Sequence, residues 1–129
     1  DNSMTSAQLA SMDDITTGII TATISDGDLD TLASLTKDNN NNALTITVTD
    51  TAATAAELNT LDTMSSVNVN ASAVTTIESS AVADVKTLIT NQTTAGLDDD
   101  YTVTLSDTSI AATDITTVDS DTTGTVTVS

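Results

Sequence analysis

A chain of 129 residues with 19 acidic and two basic side chains carries a formal charge of −17, which excludes nucleic acid as a partner because phosphate binding needs clustered Lys or Arg. It holds neither Cys nor His, so disulfides, thiolate metal sites and imidazole chemistry are excluded as well. Its hydrophobic 38% is almost all Ala, Val, Leu and Ile with one aromatic residue, Tyr101, so burial must come from many thin, similar layers rather than from an aromatic core.

In chain order, the first predicted element is a short helix in SAQLASMDD, where Leu9 and Met12 stand three apart behind a hydroxyl N-cap. The same spacing recurs at Leu29/Leu32, at Leu58/Leu61 in TAAELNTLD, at Val85/Leu88 in AVADVKTLI and at Ile115/Val118. Each pair makes a narrow apolar stripe on a helix too short to be stable alone. A turn residue follows the helices, Gly18, Gly96, Gly124 or the Asn run at 39–42, and predicts a left-handed C-cap. The Asn run also reads as a local insertion. Strands come next: Leu44, Ile46 and Val48 alternate with Thr45 and Thr47, and Tyr101, Val103 and Leu105 alternate with Thr102 and Thr104. Only one face of such a strand is apolar. A doubly wound sheet, buried on both faces, would read as continuous Val, Ile and Leu, so the helices are expected on one side.

Laid on itself, the segment from Leu44 to Ser72 overlays that from Tyr101 to Ser129 without a gap, a repeat of 57 residues that holds two helix pairs per period. The expected architecture is one α/β repeat domain over residues 1–129. It is a solenoid of about five stacked helix–strand turns with one parallel sheet, the turns falling near 5–25, 26–50, 51–77, 78–107 and 108–129. A right-handed parallel β-helix is the alternative. A first residue of Asp1 and a final VTVS inside a strand read as an excised or processed piece, continued by further sequence or by another copy. No run of about 18 apolar residues is present, so no membrane insertion is expected.

Two acidic clusters offer oxygen ligands to calcium: Asp26, Asp28 and Asp30 in SDGDLD, and the consecutive Asp98, Asp99 and Asp100. Neither matches an EF-hand loop or a glycine-rich β-roll repeat, and solvated turn carboxylates or helix N-caps account for both more simply. Calcium is the one cofactor considered. A second feature is a ladder of exposed Thr-x-Thr pairs, Thr21/Thr23, Thr45/Thr47, Thr102/Thr104 and Thr125/Thr127, interrupted by Asn68 and Asn70. Flat threonine ladders bind ice or crystal faces, yet Thr is also the ordinary choice for an exposed strand position. Lys37 and Lys86 fall where a helix surface would expose them, and no segment supplies an apolar pocket to raise a carboxylate pKa, so no catalytic residue is assigned and no enzyme is expected.

The phrases TAAELNTLDT, VNVNASAVTTI, SSAVADVKTLI and YTVTLSDTSIAATDITTVD resemble the tandem Thr/Ala/Asp-rich repeats of giant secreted cell-surface proteins of marine cyanobacteria and other aquatic bacteria. The similarity runs over residues 5 to 129. It implies an extracellular or cell-surface structural role rather than a defined activity. The expectation is therefore a structural segment of a surface layer, filament or adhesin stalk, partnered by further copies or repeats of itself. The alternative is a calcium-dependent or surface-binding adhesive module for ice, crystal or glycan.

Overall fold

A computed structural model describes residues 3–36, 41–91 and 96–129. These form β1 (Ser3–Met4), α1 (Ser6–Asp13), β2 (Thr21–Ile24), α2 (Leu29–Leu32), β3 (Ala43–Thr45), β4 (Ala52–Ala53), α3 (Ala55–Asp62), β5 (Thr76–Ser80), α4 (Val82–Thr90), β6 (Thr102–Leu105), α5 (Ala112–Asp119) and β7 (Val126–Val128). Every strand pairing is parallel and joins strands that are neighbours in the sequence. Helices fill the crossovers, as parallel pairing requires. The predicted α/β class holds.

The single expected sheet is two. One runs β1-β2-β3 and the other β4-β5-β6-β7, with one isolated parallel bridge, Thr47 to Asn70, beside them. The physical cause lies between β3 and β4. After the inward residues Leu44, Ile46 and Val48 the chain bends at Thr51 before β4 begins, so the ladder leaves the first sheet and resumes in the second. Across the first, Thr23 stands beside Thr45; across the second, Thr104 stands beside Thr127.

The alternation read from the sequence sets the burial. Ala22 and Ile24 of β2, Val103 and Leu105 of β6, and the run Leu44, Ile46, Val48 point inward, with threonines between them facing out or half out. The helix pairs supply the other wall: Leu9, Leu32, Leu58, Leu61, Val85, Leu88 and Val118 join the same buried cluster. Helix α3 packs beside α4, and α4 beside α5, where Lys86 Nζ meets Asp114 Oδ1 at 2.6 Å. The cation expected on an open helix surface is thus half-exposed and paired. Lys37 lies outside the described residues.

The expected left-handed C-caps are not found. Asp14, Ala33, Thr63 and Ser120 close α1, α2, α3 and α5 in right-handed helical geometry, and Asn91 closes α4 with φ −98°. Gly96 does have φ +56°, five residues past that cap, where a Cβ would also sit 2.8 Å from Val69 O. Gly124 answers a different need: a Cβ there would lie 2.2 Å from Tyr101 O, so glycine allows β7 to approach β6. Of the Asn run, 39 and 40 lie outside the described residues, while Asn41 takes φ 55° and Asn42 is buried.

Candidate functional site

Short helices expose a large share of their first-turn N–H groups, and how these are met is the main polar arrangement of the molecule. Two helices open with reciprocal capping boxes. Thr5 Oγ1 accepts from Gln8 N at 3.2 Å while Gln8 Oε1 accepts from Thr5 N at 2.9 Å. Thr54 and Glu57 repeat this at 3.3 and 2.8 Å. Asp28 caps α2, taking Thr31 N at 3.2 Å. Helices α4 and α5 follow Ala81 and Ala111, which offer no side-chain cap.

The amide of the first helical residue is met from elsewhere. Ser6 N donates to Asp26 Oδ2 at 2.7 Å, and Leu29 N to Asp50 Oδ2 at 2.8 Å. Ala55 N donates to Ser80 Oγ at 3.0 Å, and Val82 N to Asp107 Oδ2 at 2.6 Å. Each acceptor lies 20 to 25 residues further along, at or just after the next strand segment. A carboxylate at a helix N-terminus gains from both the charge-assisted bond and the helix dipole. The result is a ladder of polar ties in which each helix is held by the unit that follows it.

This ladder absorbs part of the predicted acidic site. Asp26 ties α1 and Asp28 caps its own helix, while Asp30 is exposed in the first turn of α2. Asp98, Asp99 and Asp100 all lie exposed just before β6, and Asp99 O accepts from Thr123 N at 2.7 Å. Among the described residues no three acidic side chains stand close enough together to hold a metal ion. The threonine ladder is divided between the sheets, Thr21, Thr23, Thr45 and Thr47 on one and Thr102, Thr104, Thr125 and Thr127 on the other. Thr104 is half-buried, and the hydroxyls of Thr76 and Thr102 meet at 3.4 Å across β5 and β6.

Three polar residues not singled out from the sequence carry further ties. Asn42 Oδ1 accepts from Ile20 N at 2.8 Å, its amide donates to Asp13 at 3.0 Å, and its carbonyl accepts from Ser66 N at 2.9 Å, so one buried side chain joins three segments. Asp121 takes the Tyr101 hydroxyl at 2.7 Å. Burial first, then that bond and the charges of Asp121 and Asp99, raise the phenol well above its ordinary range. Thr122 Oγ1 donates to Tyr101 O. A signal for the ladder was present: ITATISD, LTITVTD and YTVTLSD each end in the Asp that reaches the preceding helix, Asp26, Asp50 and Asp107.

An apolar crevice of about 220 Å³ lies between α2 and α3, lined by Leu29, Leu32, Leu35, Leu61 and Met64. Among the described residues no helix is long and apolar enough to cross a membrane. In comparisons with protein-family models, curated proteins and solved structures, nothing matches.

Proposed function

We propose that this chain is a structural tandem-repeat segment of an extracellular surface layer, filament or adhesin stalk, built as a solenoid of stacked strand–helix turns and without enzymatic activity. The observation that carries the reading is the ladder of inter-unit ties: Asp26, Asp50, Ser80 and Asp107 each fasten the helix before them, so every unit is completed by its successor. Such nearest-neighbour completion is the energetic pattern of repeat proteins, whose use is to span distance and present surface. The resemblance of the repeats to those of giant secreted surface proteins points the same way. Immunoelectron microscopy of the source cells with an antibody against this chain tests it. Label in a surface layer or along filaments is expected, and label confined to the cell interior would remove the reading.

The exposed run Asp98–Asp99–Asp100 favours a second reading, an adhesive module that uses calcium. Calorimetric titration with calcium, run on the parent and on the Asp98→Ala/Asp99→Ala/Asp100→Ala variant, decides it. Heat in the first and none in the second is the expected pair, and no heat in either ends it. The two Thr faces are tested alongside by inhibition of ice recrystallisation.

A further inference from the structure

In each helix the two members of the apolar pair lean toward opposite neighbours, and the end units expose what their inner counterparts bury. The first members Leu9, Leu58 and Val85 are at most 2% exposed, whereas Ile115, the first member in α5, is only half-buried. The second members Leu32, Leu61, Leu88 and Val118 are at most 4% exposed, whereas Met12, the second member in α1, is 43% exposed. First members are therefore covered by the following unit and second members by the preceding one. Leu29 departs from this because α2 is a single turn and leaves the crevice against α3.

The backbone shows the same complementarity. Among the described strands β1 pairs only with β2 and β7 only with β6, all in parallel, so the outer edge of β7 offers the groups that an outer edge like that of β1 takes up elsewhere in the fold. Ala112 N, first in α5, is the one such amide with no acceptor among the described residues, and Ala112 is exposed. The pairing of Met4 with Ile24 puts Ser6 at the place in the first unit that Asp26 holds in the second. Its hydroxyl is buried and has no partner among the described residues.

We propose that the face of α5 and β7 binds the face of β1 and α1 on a second copy of this chain, head to tail, with Ile115 packed toward Met12 and Ser6 of the second copy serving Ala112 N. A groove bordered by Met4, Ala7 and Met12 lies open on the receiving face. The two faces differ, so the contact is heterologous and does not close on itself, and it propagates into an open filament. This rests on the stacked-turn reading above and names its partner.

Sedimentation velocity of the purified chain from about 1 µM to about 1 mM tests it. The parent should grow with concentration, while Met12→Glu and Ile115→Glu, each blocking one face, should each remain monomeric. An equimolar mixture of the two should give a 1:1 dimer and nothing larger, because one intact face of each kind remains. A parent that stays monomeric, a mixture that stays monomeric, or a single variant that still assembles like the parent would each overturn the proposal. Far-UV circular dichroism confirms that the variants fold, and Met12→Ser with Ile115→Ser replaces them if they do not. Small-angle scattering of the monomer separates the two readings: a folded rod that never assembles overturns only the second-copy contact, and a compact globule overturns the stack itself.

Discussion

Tyr101 is the one ring in the chain, and it lies 1% exposed among aliphatic side chains with its hydroxyl on Asp121. Its raised pKa fixes the sign of a pH effect. In the unfolded chain the phenol ionises near its ordinary value of about 10, whereas the folded chain holds the proton, so this contribution is complete below pH 10 and is lost as pH rises above it. Denaturant unfolding should show stability falling above about pH 10, with a smaller fall in Tyr101→Phe. Phenolate absorbance should appear together with unfolding rather than before it. Asp107 permits a second expectation. Asp107→Ala leaves Val82 N without its acceptor at a helix that lacks any local cap, and a loss of about 1–2 kcal/mol by urea unfolding follows. Asp107→Ser should recover much of it, as Ser80 serves Ala55, and Asp98→Ala should stay within about 0.5 kcal/mol. None of these partnerships was legible at the residue level, because an acceptor 20 or more residues from its donor leaves no local pattern.

The helices were legible as elements and their ends only in part. The pairs three apart located α1 to α5, and Thr5 with Gln8 and Thr54 with Glu57 carry the four-residue signature of a capping box. The openings of α4 and α5 were not legible: Ser and Thr are plentiful in the sequence, yet alanine stands at both N-caps. Glycine was noticed for the wrong reason at Gly124, where the need is proximity rather than handedness. Gly124→Ala should therefore prise β7 from β6 at a cost of about 1–3 kcal/mol, read as faster amide exchange across Val126–Val128 with the helical signal retained. Gly18→Ala, which meets only the Thr16 hydroxyl at 3.3 Å, is the tolerated comparison. The division into two sheets was hidden too. A bend at Thr51 interrupts no hydrophobic alternation, so the run from Leu44 onward reads as one strand passing into a turn.

For the whole molecule, composition and the 57-residue repeat were enough to give a parallel α/β fold built from like units, since thin aliphatic layers gain burial only from neighbours. The charge of −17 acts at this scale as well. Repulsion among carboxylates opposes the folded state and weakens as the screening length shortens from about 8 Å at physiological ionic strength to about 3 Å at 1 M. Thermal unfolding followed by circular dichroism should accordingly shift upward by roughly 5 °C over that range of sodium chloride, and a flat or falling midpoint would show that the charges are already neutralised by position. The chain of polar ties gives the molecule a grain. Trimming from the amino-terminal side frees a carboxylate, which water solvates at small cost. Trimming from the carboxyl-terminal side strands an amide on the helix left behind and loosens it in turn, so fraying advances more readily in one direction than in the other.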